Sequence, residues 1–143
     1  GGESSRLINR LVNEKGLFSS ANAYITGSLD EGLFIIKGRL MPSTTEVDAE
    51  AALWRELKEL QRGNVSDYEM EKVKNKFEAN MLMGEINVMN KAMNLGFYAM
   101  IGDLALLNTE ADIYRSITRE ELMSFAERVF TPNNSSTLIY RAQ

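Results

Sequence analysis

Two side chains that carry much of enzymatic chemistry, histidine and cysteine, do not occur in this chain of 143 residues. Without imidazole the chain lacks the commonest general base, the commonest zinc ligand and the usual partner of a nucleophilic serine. Without thiols it can form no disulfide, no thiolate nucleophile and no cysteine metal site. The composition therefore makes this chain a poor candidate for a self-contained hydrolase.

Carboxylates are the remaining candidates for metal binding, and three of them lie close together at Glu46, Asp48 and Glu50. A calcium loop needs oxygen ligands at set spacings around a glycine, and that spacing is missing here. The three acids follow the hydroxyl-rich residues 43–45, where a helix is predicted to begin. Because the start of a helix favours negative charge, we interpret the cluster as a solvated helix end.

The overall charge and hydropathy limit the classes of partner. The net charge is -4, and the basic residues are scattered along the chain, whereas nucleic-acid binding needs clustered Lys and Arg. No apolar run approaches the roughly 20 residues of a membrane helix, and no leader sequence opens the chain. We therefore expect a soluble chain with no nucleic-acid or membrane partner and no targeting segment. The cellular compartment stays open.

Residues 18–41 organise the rest of the chain, because they predict a hairpin of two β-strands. In the first arm Ala21, Ala23 and Ile25 alternate with polar residues, which is typical of a strand with one buried face. The second arm starts with the apolar run 33–36 and is expected to be buried on both faces there. Residues 29–32 supply the Asp and Gly of a tight turn.

Helices are predicted around this hairpin. One follows Ser4 and ends at Gly16, and three more begin at capping boxes, in which a hydroxyl residue precedes a glutamate by three positions. These boxes lie at residues 43–46, 66–69 and 118–121. Residues 135–141 are predicted to form a closing strand on the hairpin sheet. The fold class is therefore α+β, one domain with a small antiparallel or mixed sheet, hairpin plus closing strand, covered by helices.

The longest helical pattern weakens at Gly84, which predicts either two helices or one kinked helix. Five of the eight methionines lie between Met81 and Met100. A polarizable stripe of this kind can line a groove that accepts varied peptides, but we prefer ordinary core filling.

Three stretches together resemble one family of enzymes. GGESSRLINRLVNEKGLFSSANAYI resembles the Gly-Gly-x-Ser-Ser-Arg-Leu, Arg-Leu and Gly-Leu pattern of the insulinase, pitrilysin and mitochondrial processing peptidase family of zinc metallopeptidases. VSDYEMEKVKNKFEAN is similar to the family's long glutamate- and lysine-rich helix. SITREELMSFAERVFTPNNSSTLIY is similar to its closing helix and strand. The resemblance covers nearly the whole chain, and its strength lies in the order of the motifs.

The resemblance implies a half-domain of α+β fold whose partner half carries the zinc motif H-x-x-E-H. Since this chain has no histidine, it resembles the carboxy-terminal, non-catalytic half, and the zinc is implied in the parent's other domain. The parent is then a zinc metalloendopeptidase, while this chain alone has no catalytic residue, no metal ligand and no cofactor. Residues 1–143 are expected to be one incomplete half-domain, because the family has a further strand and helix ahead of residues 4–17.

Some family members grip the substrate backbone near the zinc with an Arg and a Tyr, and the resemblance aligns these with Val12 and Ser19. Val12 has no hydrogen-bond donor, and Ser19 offers only a short hydroxyl. The residues that the resemblance still implies for substrate binding are Ser19, its neighbour Phe18, and Arg10. Arg10 lies near the position of the family's Arg but out of register with it. Because Val12 and Ser19 cannot act as this clamp, the function stays open between several alternatives.

In the first alternative the chain is a chamber wall that encloses and positions peptide substrate. In the second it is an inactive scaffold, or the partner subunit of a two-subunit peptidase or assembly. An unrelated α+β binding module remains a third, because fold does not fix function. The expected partners are a catalytic half-domain in the same or a partner chain and a peptide substrate. A second copy of this chain could also bind through an uncovered sheet edge.

Overall fold

The structure is a computed structural model and describes residues 2, 4–27 and 30–141. The elements are, in chain order, a π-helix (Ile8–Glu14), strands β1 (Phe18–Ile25) and β2 (Phe34–Leu40), helices α1 (Glu46–Gln61), α2 (Asp67–Ile86), α3 (Val88–Met100), α4 (Leu106–Ser116) and α5 (Arg119–Val129), and a 3₁₀ turn (Pro132–Asn134). This order confirms the predicted α+β class.

Two compact units divide the described residues. The first, which we call the sheet unit, lies within Gly1–Gln61 and Ala126–Gln143, and the second, the helical unit, is Arg62–Phe125. The hairpin, the π-helix and α1 belong to the sheet unit. Helices α2, α3 and α4 belong to the helical unit, where each contacts the other two.

The predicted hairpin is confirmed as an antiparallel pair of strands. Ala21 lies opposite Gly38, and Ala23 lies opposite Ile36, so these residues share one face of the sheet. A β-bulge between Phe18 and Ser20 inserts one extra residue into β1. Of the predicted turn 29–32, Leu29 lies outside the described residues.

The core of the sheet unit joins the π-helix, β1 and α1 through Leu11, Phe18, Ala49 and Ala52. Leu11 is 1% exposed and Ala52 is fully buried. Burying a leucine side chain contributes about 1.5–3 kcal/mol, and alanines on α1 allow the neighbouring backbones to approach closely. One face of the hairpin is therefore covered by helical segments.

The predicted closing strand is wrong. Residues 135–141 form no strand, and the described sheet has two strands. Side chains tie this segment to α1 instead, since Thr137 Oγ1 donates to Glu50 Oε1 at 2.9 Å and Arg141 Nε donates to Glu46 Oε1 at 2.9 Å. Strand propensity alone cannot form a strand, because the backbone needs a neighbouring strand to pair with.

The predicted burial of both faces at the start of β2 is also wrong. Leu33 is 68% exposed and Phe34 is 41% exposed. The Phe34 ring meets Phe130 edge to face, with ring centroids 5.0 Å apart. That contact covers one face, and within the part of the chain that the structure describes no second layer covers the other.

Capping boxes begin two helices where the sequence predicts them. Ser66 Oγ accepts the N–H of the residue three positions later at 3.1 Å, and caps α2. Before α5, Thr118 N–H donates to the Glu121 carboxylate at 2.8 Å, and Glu121 N–H donates to Thr118 Oγ1 at 3.1 Å. The reciprocal bonds satisfy backbone donors that a helix start leaves unpaired.

The box at residues 43–46 is displaced by two positions. Thr45 Oγ1 accepts the N–H of Asp48 at 3.1 Å, so Thr45 is the capping residue of α1. The acids at the start of α1 are thus the helix-end charges that the sequence predicts.

The first helix ends as predicted, with Gly16 at a φ of 60°. It is, however, a π-helix, in which Lys15 N–H donates to Arg10 O, five residues earlier.

The long helical region divides into two helices at Asn87, whereas the sequence placed the change at Gly84. Asn87 has a ψ of 115°, and its Oδ1 accepts the N–H groups of Met89 at 2.9 Å and Asn90 at 3.4 Å. Gly84 stays inside α2.

The preferred interpretation of the methionine stripe as core filling is wrong for this chain, because Met93 is 65% and Met100 is 67% exposed.

Candidate functional site

One surface of the sheet unit combines polar side chains with exposure, and we call it the open face. It is the side of the hairpin turned away from the helical segments. Gly38 fixes this orientation, because a Cβ there would lie 2.6 Å from Phe18 Cδ1 in the core. Residues on either side of Gly38 must therefore point outward. The open face consists of Ser20, Asn22, Tyr24, Ile35, Lys37 and Arg39.

The β-bulge lets Phe18 and Ala21 share the core face although they are three residues apart. Phe18 is 9% exposed and packs in the core. Ser19, within the bulge, is exposed, and its Oγ donates to the backbone oxygen of Arg39 at 3.2 Å. Ser19 is thus accessible to solvent beside the open face. The Phe18 ring lies on the opposite side of the sheet, in the core.

Arg10 is held by a buried carboxylate. Its Nη1 lies 2.8 Å from Glu56 Oε2, and Lys15 Nζ lies 3.0 Å from Glu56 Oε1. The Glu56 side chain is only 5% exposed, whereas those of its two partners are 39% and 38% exposed. Arg10 therefore fixes the π-helix against α1, whereas the Ser19 hydroxyl contacts the backbone of β2.

Burial and ion pairing act in opposite directions on Glu56. Burial raises the pKa of the Glu56 carboxyl, but hydrogen bonds from Lys15 and Arg10, and the charges of both, more than offset it. The pKa of Glu56 consequently lies below its ordinary value of 4.5. Glu56 is ionised at neutral pH and binds both cations across 46 and 41 residues of sequence.

Sequence reasoning missed Glu56, although a signal was present. Glu56 follows Ala49 by seven positions and Ala52 by four, so all three share the buried face of α1. A carboxylate on an apolar helix face requires cations nearby. Val12, by contrast, packs partly buried against the core cluster, which confirms the preferred interpretation of that residue.

The described residues offer binding groups and no metal centre. Among them, no group of three or more His, Cys, Asp or Glu side chains could hold a metal ion. The open face presents two cations, an amide, a hydroxyl and a phenol, which can bind and orient a polar chain. In the described part of the chain no helix has the length and apolar character needed to cross a membrane.

The fold and this surface define an α+β domain with an exposed hairpin face. The family model described as the peptidase M16 inactive domain matches residues 1–77, more than half of the chain. The chain belongs to this family. The family that the sequence motifs resemble is thereby confirmed.

Sequence similarity to curated relatives extends over nearly the whole chain. An uncharacterized zinc protease of Rickettsia felis is 27% identical over 143 residues, covering 97% of this chain and 34% of the relative. An uncharacterized zinc protease of Rickettsia bellii is 26% identical over 140 residues, with the same coverages. The chain thus spans about a third of the length of these relatives.

Solved structures share the fold. A protease from Helicobacter pylori has a TM-score of 0.84 at 22% identity, covering 93% of this chain and 32% of that one. A domain described as the inactive peptidase domain of a zinc protease from Bordetella parapertussis has a TM-score of 0.80 at 22% identity. The match covers 94% of this chain and 73% of the Bordetella domain. The α+β architecture is confirmed, whereas the substrate roles of Arg10, Phe18 and Ser19 stay predictions.

Proposed function

We propose that this chain is a wall of the substrate chamber of a zinc-dependent metalloendopeptidase. Residues 1–143 would form one incomplete carboxy-terminal half-domain that encloses and positions extended peptide. The observation that carries the proposal is the open face of the hairpin, which is mostly polar and exposed, while Phe18 and Ala21 on the opposite face are buried. The absence of histidine supports a role without metal chemistry.

The side chains that this chain contains suit the orientation of a substrate and not the binding of zinc. A catalytic half-domain, in the same or a partner chain, would hold the zinc that activates water for peptide hydrolysis. This chain would contribute orientation, since holding a substrate near the reacting groups lowers the entropic part of the barrier. Ser19, at the edge of the open face, is the predicted substrate-binding residue best placed to take part, and Arg10 and Phe18 would act by fixing the surface beneath it.

The second candidate function is an inactive scaffold, or the partner subunit of a two-subunit peptidase or assembly. It is favoured by the clamp positions, because Val12 lies against the core and Ser19 has only a hydroxyl. The amino acids encoded upstream separate the two candidates. An H-x-x-E-H motif in the same polypeptide supports the chamber wall of a protease, and its absence supports the scaffold or a two-subunit enzyme.

The experiment that tests the chamber wall has two parts. First, the chain is incubated with zinc and a labelled peptide, with and without a chelator, and no turnover is expected. Second, an unlabelled extended peptide is titrated into isotopically labelled chain, and amide shifts are expected for the open face, with Asn22 and Lys37 at its centre. The exposed end of α4 serves as the internal reference. Chelator-sensitive cleavage, or shifts confined to other surfaces, would contradict the proposal.

We also propose that the chain forms a homodimer through a sheet edge. In the described sheet each strand pairs only with the other, so the second edge of β1 and of β2 has backbone groups without a strand partner. Such edges recruit another chain. Light scattering coupled to gel filtration should give twice the monomer mass of 16.1 kDa, and a monomer at all accessible concentrations would rule the dimer out.

A further inference from the structure

Two cations on the open face differ from three other basic side chains of the sheet unit. Arg10, Lys15 and Arg141 each bind a carboxylate. Lys37 and Arg39 are exposed, and among the described residues neither side chain has a hydrogen-bond or ion-pair partner. Their charges are therefore available to a ligand without first breaking an internal contact.

The spacing of the two cations matches an extended chain. Lys37 and Arg39 are two residues apart on β2, so their side chains leave the same face about 6.6 Å apart. Alternate residues of an extended peptide repeat that spacing. Two carboxylates at positions i and i+2 of a bound strand can therefore each lie opposite one cation.

Neutral hydrogen-bonding groups lie directly across the hairpin from the cations. Ser20 is opposite Arg39, and Asn22 is opposite Lys37. Asn22 Oδ1 accepts its neighbour's N–H, that of Ala23, at 2.9 Å, so the amide nitrogen is the donor that remains for a ligand. Further along the same face Tyr24 and Ile35 supply an aromatic and an aliphatic surface.

We propose that the open face binds acidic segments of peptide in extended conformation, with Lys37 and Arg39 each taking one of two alternate carboxylates. The inference rests on the proposed function, because it names the substrate class of the chamber wall. The whole chain has a net charge of -4, so the attraction of an acidic segment depends on the local positive charge of these two side chains. A nucleic acid is disfavoured as the ligand, because two cations neutralise too few phosphates.

The test is a titration of the isotopically labelled chain with two unlabelled peptides, in which the amide shifts of the chain are measured by NMR. One carries glutamates at alternate positions, and the other carries glutamine at the same positions. The double variant Lys37→Gln with Arg39→Gln should weaken binding of the glutamate peptide about fivefold and leave the glutamine peptide unchanged. Raising the salt concentration from about 0.05 to about 0.5 M should weaken the binding of the glutamate peptide and leave the binding of the glutamine peptide unchanged.

The matched control is Lys58→Gln with Lys91→Gln, which makes the same change in net charge at exposed sites on α1 and α3. It should change affinity for the glutamate peptide less than twofold. Circular dichroism verifies that both double variants keep the helical fold.

Each other outcome is decisive. Equal binding of both peptides by the unchanged chain, or equal losses in both double variants, overturns the acidic preference and leaves the chamber wall standing. Failure to bind either peptide overturns both proposals. A single-stranded oligonucleotide that displaces the glutamate peptide from the same amides at lower concentration also overturns the inference.

Discussion

The sheet unit and the helical unit are stabilised in different ways. The sheet unit has fully buried apolar residues, including Leu11 and Ala52, and one buried carboxylate, Glu56. In the helical unit, α3 and α4 contain no buried residue. Its helices are joined instead by pairs of partly exposed side chains, among them the stacked rings of Phe77 and Tyr114. Both units carry sequence motifs that resemble the family, yet the burial of their apolar side chains differs.

The difference bears on function. A rigid core beneath the hairpin fixes the outward direction of the open face, which suits a surface that orients a ligand. The helical unit instead exposes Met89, Met93 and Met100, and flexible methionine side chains adapt to varied neighbours. Single substitutions in each unit test this difference in packing.

The largest effect is expected from Leu11→Ala. Removing a side chain that is 1% exposed leaves a cavity in the sheet unit, and the free energy of unfolding should fall by about 3 kcal/mol. Urea denaturation measures the change. Met93→Ala, at an exposed site of the helical unit, is the control and should cost less than about 0.5 kcal/mol. Equal losses would remove the distinction between the two units.

A smaller but pH-dependent effect is expected from Glu56→Gln, which weakens two charged hydrogen bonds and should cost about 2 kcal/mol near neutral pH. Because the folded-state pKa of Glu56 lies below 4.5, its stabilisation is present above pH 4.5 and is lost as the pH falls through the folded-state pKa.

Denaturation at a series of pH values measures this linkage. Wild-type stability should decrease on acidification below about pH 4.5, and the difference between wild type and Glu56→Gln should shrink over the same interval. Glu50→Gln, at an exposed site of the same helix, is the matched control. A difference that stayed constant with pH would show that the ion pairs of Glu56 add nothing to stability.

Arg115→Ala should have a still smaller effect in the helical unit. Arg115 on α4 pairs with Glu71 at 3.5 Å and with Glu78, and Nη2 donates to Asn75 Oδ1 at 3.0 Å. The side chain is 41% exposed, so solvent screens these contacts and the loss should be about 0.5–1 kcal/mol. High salt should reduce the loss. A loss as large as that of Leu11→Ala would show that ion pairs, and not packing, dominate the chain.

The smallest effect is local and spectroscopic. The hydrogen bond from the Tyr98 hydroxyl to Glu110, followed by burial and the charge of Glu110, raises the pKa of Tyr98 to about 12. Since the folded-state pKa is raised, the contact stabilises the fold below pH 10 and is lost as the pH rises through about 12. Ultraviolet titration of wild type against Tyr98→Phe isolates this residue. Glu110→Gln should return its titration toward 10, and an unchanged titration would contradict the contact.

Much of the fold follows from local signals in the sequence. Alternation predicts the hairpin, and hydroxyl–carboxylate spacing predicts the starts of α2 and α5, because both signals act within a few residues. The closing strand could not be predicted this way, since a strand depends on a neighbour elsewhere in the chain. The break at Asn87 was missed because glycine permits a break without requiring one, whereas an asparagine can cap the next helix.

The candidate site was predictable only in part. The family resemblance led to Ser19, and alternation about Gly38 already places Lys37 and Arg39 on one face of β2. The pairing of Arg10 with Glu56 joins residues 46 positions apart, so no local pattern contains it. Burial of the helix face carrying Glu56 is the physical reason for the pairing, and burial is a property of the folded chain.

The β-bulge in β1 absorbs one amino acid without changing which residues face the core. Deleting Ser19 would leave only Ser20 between Phe18 and Ala21, so strict alternation would keep both on the core face, whereas deleting a residue between Ala21 and Ile25 would turn over the part of β1 that precedes it or follows it. Natural sequence variation in length is therefore expected to be tolerated on the β1–β2 connection and at Ser19, and excluded elsewhere in β1.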